Sequence, residues 1–197
     1  TDYFSVFNTG MDETFTISIT LDEGPEGSMV TFCDDNGFCY PSETTFTIGE
    51  DTEAFFYANI IPGGPGMINF HFEVSSDNLE SPIIFPLTFI SDDTQVLLVD
   101  DDGGEDYENY YREALDALGI SYGVWDLSAG KLTADLIPVF DNLIWNVGFA
   151  FPTLDPLDRE FLEQFLDSGG NLFISGQDIG WDLNDNSSNM DVEFYHN

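Results

Sequence analysis

The distribution of charge is the first constraint on what this chain can fold into. Thirty-eight Asp and Glu stand against three Lys and Arg, and the first basic residue is Arg112, so residues 1–111 hold no Lys or Arg at all. A fold made from such a segment draws almost nothing from ion pairs. It rests on apolar burial and on hydrogen bonds between neutral groups, and it bears the self-repulsion of a net charge of −35. Nineteen Phe and a 42% hydrophobic content supply that burial and argue against a disordered chain. The same charge repels nucleic acid and anionic membrane surfaces as partners. No apolar run reaches the roughly 18 residues of a membrane-spanning helix, so membrane insertion is not expected. Two readings of the acidity stand side by side: a solvated coat, or a surface that recruits Ca²⁺.

Residues 1–90 alternate apolar and polar with a period of two. Thr14-Phe15-Thr16-Ile17-Ser18-Ile19-Thr20-Leu21 is the clearest run, and similar runs begin at Met29, Thr45, Ala54, Met67 and Ile83. Turn residues separate them, as in Gly24-Pro25-Glu26-Gly27 and Pro62-Gly63-Gly64-Pro65-Gly66. Six or seven short strands with regular turns predict an antiparallel β-sandwich, and Pro86 inside the last run predicts an edge strand or a bulge. Cys33 and Cys39 flank Asp34-Asp35-Asn36-Gly37-Phe38, which contains a strong Asn-Gly turn signal. Two cysteines without nearby His are too few for a structural zinc site, and acidic neighbours make poor nucleophiles of them. A hairpin disulfide in an oxidising, extracellular compartment is the expected outcome; two free thiols are the alternative.

The period changes near Ser91. Gln95-Val96-Leu97-Leu98-Val99 is continuously apolar, as in a strand buried on both faces. A helix over 105–118 follows, with Tyr107, Tyr111, Ala114, Leu115 and Leu118 on one face and Glu105, Asp106 and Glu108 in its first turn, where acids suit the macrodipole. Strands are predicted over 120–127, 142–147 and 171–175, with a short helical connection over 132–137. Asp155-Pro156 opens a second helix, with Leu157, Phe161, Leu162, Phe165 and Leu166 as its apolar stripe. Alternating strands and helices predict parallel βαβ units over 94–197. The stretch from Trp181 to Asn197 shows no further strand, so the sheet is expected to be incomplete and the chain to be part of a longer protein.

In an open parallel sheet, ligands bind beyond the carboxyl ends of the strands. That edge collects Asp100-Asp101-Asp102-Gly103-Gly104, Asp126, Asn146 to Gly148, and Ser175-Gly176-Gln177-Asp178. Hard carboxylate oxygens suit Ca²⁺ or Mg²⁺. Asp100, Asp101 and Asp102, with Asp178 from the fourth strand or Asp126 as a partner, are therefore the candidate metal ligands, set against the plainer reading of one helix cap and solvated neighbours. Gly103-Gly104 has no Lys beside it, so nucleotide binding is not expected. Ser175 occupies the place of a nucleophile on a strand-to-helix elbow, but the Gly-x-Ser-x-Gly pattern is missing, and the only His are His71 and His196.

Val96-Leu97-Leu98-Val99-Asp100-Asp101-Asp102-Gly103-Gly104, Tyr122-Gly123-Val124-Trp125-Asp126 and Gly169-Gly170-Asn171-Leu172-Phe173-Ile174-Ser175-Gly176-Gln177-Asp178 resemble a module of large secreted bacterial and archaeal proteins. Such modules accompany immune-inhibitor-A-type (M6) peptidases and other surface proteins. The resemblance implies a flavodoxin-like fold similar to class I glutamine amidotransferases for residues 94–197. The catalytic Cys of that class has no counterpart here, its place being taken by Ser175, and the peptidase HExxH motif is absent. Residues 1–90 resemble the immunoglobulin-like modules of secreted proteins. The missing base and nucleophile and the cystine hairpin point to a non-enzymatic structural or binding unit of a larger surface protein; its acidity suggests stabilisation by cations, and with so few cationic side chains self-association is expected through apolar patches, strand edges or bridging ions. An accessory region of a secreted hydrolase whose catalytic domain lies outside this chain is the alternative, and a hydrolase using Ser175 the third reading.

Overall fold

The computed structural model describes residues 3–185 and 189–196, and its contacts divide the chain into Thr1–Ser91 and Asp92–Asn197. In the first unit the period-two runs become strands β2 (Glu13–Glu23), β3 (Met29–Asp34), β5 (Glu43–Ile48), β6 (Thr52–Ile61), β7 (Met67–Ser76) and β8 (Ile83–Ile90). Two strands join them that the alternation did not single out: β1 (Tyr3–Asn8) and the two-residue β4 (Cys39–Tyr40). All pair antiparallel, in two four-stranded sheets ordered β1-β6-β3-β4 and β5-β2-β7-β8.

The core is the space between those sheets. Phe32 and Phe56 from one sheet, and Ile17, Ile68 and Phe72 from the other, are fully buried in one cluster. Phe32 and Phe72 meet edge to face across the sandwich with centroids 5.8 Å apart. Burying each such side chain stabilises by about 1.5–3 kcal/mol, so neutral apolar contacts carry the unit without any Lys or Arg. The immunoglobulin constant arrangement sets the first strand beside the second. Here β1 lies beside β6, and β2 between β5 and β7, so the two-sheet packing is shared while the strand order differs. β8 ends its sheet, a position where Pro86 forgoes a backbone N–H at little cost.

The second unit runs β9 (Val96–Asp100), α1 (Glu108–Leu118), β10 (Tyr122–Asp126), a 3-10 turn (Ala134–Val139), β11 (Asn142–Gly148), α2 (Pro156–Asp167), β12 (Asn171–Gly176), α3 (Ile179–Asn184) and α4 (Asn189–His196). Its sheet is parallel, in the order β10-β9-β11-β12. β9 has a neighbour on each side, and Val96 to Val99 are all buried, which explains the unbroken apolar run. The stretch after Trp181, read as lacking a strand, holds the end of α3 and α4.

Helix α2 starts where its sequence says. The Asp155 side chain accepts from the backbone N–H of Leu157 and Asp158, Asp158 accepts from the Asp155 N–H, and Pro156 takes the first helical position. Phe161, Leu162 and Phe165 are buried, but Leu157 and Leu166 at the ends of the stripe are exposed. On α1, Ala114 and Leu118 of the expected face are exposed as well, and Leu115 alone of that face is buried. Few as they are, the basic residues are engaged. The Lys131 ammonium bridges Asp155 and Asp158, each at 2.8 Å, and Arg159 donates to the Leu154 carbonyl at 2.7 Å.

Candidate cation site at the strand carboxyl edge

The parallel register sets Asp126, Asp100, Asn146 and Ser175 in one row across β10, β9, β11 and β12. β9 ends there, and the chain turns over Asp101 to Glu105 towards α1. Asp100, Asp102 and Glu108 each place one carboxylate oxygen within 4.8 Å of the other two. Two of the expected ligands are not part of this group. Successive side chains leaving a strand point to opposite sides, so Asp101 turns away from Asp100 and Asp102 and accepts from the Trp145 indole N–H at 3.0 Å. Asp178 is exposed at the N-cap position of α3, where its carboxylate accepts only a 3.3 Å bond from its neighbour Gln177. Glu108 takes their place. Its sequence signal, an acid in the first helical turn, had an adequate explanation in the macrodipole and so pointed to no ligand.

Asp102 holds the turn together. One carboxylate oxygen accepts from the backbone N–H of Gly104 at 3.0 Å and Glu105 at 2.8 Å; the other accepts from the Tyr107 N–H at 3.0 Å and the Asn146 amide at 3.3 Å. An ionised carboxylate has about four lone-pair positions, so donors of this chain already fill Asp102. This anchoring keeps residues 103–107 out of the helix, which is why α1 begins at Glu108 and not at 105. Gly148 makes room for the turn. Its φ is +56°, and a Cβ there would come within 2.8 Å of both Asp102 Cβ and Tyr107 Cδ2.

The remaining two carboxylates are poorly compensated. Glu108 is only 9% exposed, and its Oε2 is buried without a hydrogen-bond partner. Burial raises Asp100 to about 7; the charges of Asp102, Glu108 and Asp126 push the same way, and a weak bond from the Asp102 N–H opposes them. Burial also lifts Asp101 to about 6, against the Trp145 bond, which favours the anion. Asp100 and Glu108 thus offer hard oxygens with unused lone pairs beside a hydrogen-bond-saturated Asp102, an arrangement that suits a divalent cation.

Ser175 lies in the same row at the end of β12. The histidines are engaged elsewhere: His71 Nδ1 lies 2.9 Å from the Asp22 carboxylate in the first unit, and His196 Nε2 lies 3.0 Å from Asn184 Oδ1. Cys33 and Cys39 are a directly facing pair on β3 and β4 and form a disulfide with an S–S distance of 1.99 Å. Asp34 organises that hairpin by accepting from the N–H groups of Asn36 and Phe38 and from the Tyr40 hydroxyl.

No protein-family model and no curated protein matches the chain. Among solved structures, a family 123 glycoside hydrolase from Clostridium perfringens aligns with a TM-score of 0.32 at 11% identity, over 75% of this chain and 32% of that one. The β-glucuronidase 2 of Bacteroides uniformis aligns with a TM-score of 0.24 at 9% identity, over 83% of this chain and 25% of that one. The chain spans no more than about a third of the length of either protein, and likeness at this level carries no functional argument.

Proposed function

We propose that this chain is a non-enzymatic, cation-stabilised module of a larger extracellular surface protein, in which Ca²⁺ at Asp100 and Glu108 locks the β9–α1 turn. The convergence of the Asp100, Asp102 and Glu108 carboxylates, with Glu108 Oε2 buried and unpartnered, is the observation that carries this reading. An orphaned carboxylate oxygen inside a protein costs several kcal/mol unless a proton or cation meets it. The Cys33–Cys39 disulfide supports the extracellular placement, since such bonds persist in oxidising compartments. The strand order β10-β9-β11-β12 supports a flavodoxin-like sheet similar to the amidotransferases, with the crevice beside β9 at the switch point. Its edge presents carboxylates and Ser175 where that class carries a Cys, which favours holding a cation over acyl transfer.

Calorimetric titration with CaCl₂ tests the reading. One site of submillimolar to millimolar affinity is expected, lost in Glu108→Gln and in Asp100→Asn. No heat of binding, or a site indifferent to both substitutions, rejects it. Hydrolysis of esters, peptides or glutamine that vanishes in Ser175→Ala would show instead that the module is an enzyme.

A further inference from the structure

Of the four edge strands of the sandwich, β1 and β8 are the two long ones bare of charge. β8, Ile83-Ile84-Phe85-Pro86-Leu87-Thr88-Phe89-Ile90, ends one sheet, and β1, Tyr3-Phe4-Ser5-Val6-Phe7-Asn8, ends the other. Neither contains an acid or a base, in a chain where 21% of residues are charged. Soluble sandwiches blunt such edges with charged side chains, most often Lys, because an open row of N–H and C=O groups invites another strand. Here Pro86 is the only such device on either strand. Ile83 and Ile84 face opposite sides of β8 and are 45% and 57% exposed.

A groove of about 420 Å³ lies between these two edges, with Val6 and Phe7 on one wall and Ile83 and Phe85 on the other. Its one charged lining residue is Glu13, whose Oε1 is buried and accepts no hydrogen bond. The walls suit an apolar occupant. The free edges suit an extended one, which adds main-chain hydrogen bonds to β1 or β8. The orphaned carboxylate calls for a cationic donor, and the field of a unit with no Lys or Arg attracts one. A second copy of this chain offers no Lys or Arg from its own first 111 residues and brings a further −35.

We propose that this groove docks an extended apolar strand of another protein that carries a Lys or Arg against Glu13. The inference concerns the first unit alone and is independent of the cation site. The test is to pan a displayed library of random short peptides against the disulfide-intact chain, then to synthesise the strongest binder and follow it by fluorescence anisotropy. Enriched peptides are expected to alternate apolar residues and to carry a Lys or Arg. Ile83→Lys, on the groove wall, should weaken the synthesised peptide by about tenfold or more, and Ile83→Thr by less. In Glu13→Gln the peptide should lose its advantage over a version with Gln in place of the cation. No enrichment, or peptides that bind Ile83→Lys as well as the parent, overturns the proposal. So does a dimer in light scattering that Ile83→Lys abolishes, because the occupant is then a second copy.

Discussion

Asp102→Ala removes the anchor of the β9–α1 turn, and the structure gives the scale of the loss. Four donors lose their acceptor. Gly104 and Glu105 are exposed, so water replaces the carboxylate for their N–H groups. The Tyr107 N–H is half-buried and the Asn146 amide belongs to a residue 3% exposed, and both are left unpaired. At about 1.5–3 kcal/mol for a hydrogen bond to a charged group, two unreplaced bonds cost about 3–6 kcal/mol. Removing a charge beside the half-buried Asp100 returns about 1 kcal/mol. The expected net loss is therefore about 2–5 kcal/mol. Asp102→Asn should lose nearly as much, because its new amide hydrogens face N–H donors. All three tryptophans, Trp125, Trp145 and Trp181, lie in the second unit. Urea unfolding followed by tryptophan fluorescence in EDTA therefore reads that unit alone. A loss below about 1 kcal/mol in EDTA that grows large in Ca²⁺ would refute the reasoning, since Asp102 would then be a ligand and not the anchor of the turn.

Gly148→Ala should destabilise the same unit by about 2 kcal/mol or more, through its left-handed backbone and the close approach of Asp102 and Tyr107, and the same urea series measures it. Lys131→Met leaves the buried Asp158 carboxylate beside Asp155 without its cation. About 2–3 kcal/mol of stability should go, with Lys131→Arg recovering part of it. The pH dependence has a definite sign. Asp100 and Asp101 are raised to about 7 and about 6, so the folded state holds their protons more tightly than the unfolded chain does. Their contribution is fully present below about pH 4 and is lost as pH rises through 6 and 7. On the order of 1 kcal/mol is expected for each after allowance for solvent screening. Thermal melts in EDTA should fall over this window and fall less in Asp100→Asn; a transition that climbs from pH 4 to 7 contradicts the electrostatic account.

Much of the architecture is legible because local and global signals agree. The unbroken run of β9 marks a central strand, and Asp155-Pro156 marks the start of α2, where the capping box confirms it. β1 and β4 are not legible in the same way. β1 gains its place from β6, some fifty residues away in sequence, and β4 is two residues held by the disulfide hairpin. The stretch Asp100 to Asp102 stands out as a ligand candidate, but which side chains converge there depends on partners distant in sequence. Trp145 draws Asp101 to the other side, Asn146 helps to fix Asp102, and the turn that Asp102 holds sets the helical start that presents Glu108. None of these contacts leaves a mark in the local pattern.

The most direct test of the cation site compares Ca²⁺ with NaCl at equal ionic strength on the melting of the second unit. Plain screening of a −35 chain acts alike for both salts. A cation bound only by the native state adds about 2.7 kcal/mol at one hundred times its dissociation constant. Ca²⁺ is predicted to raise the transition well above NaCl. Glu108→Gln and Asp100→Asn are predicted to be more stable than the parent in EDTA and to lose that Ca²⁺ increment. Equal melting in the two salts, or an increment that survives both substitutions, would contradict a cation site at Asp100 and Glu108.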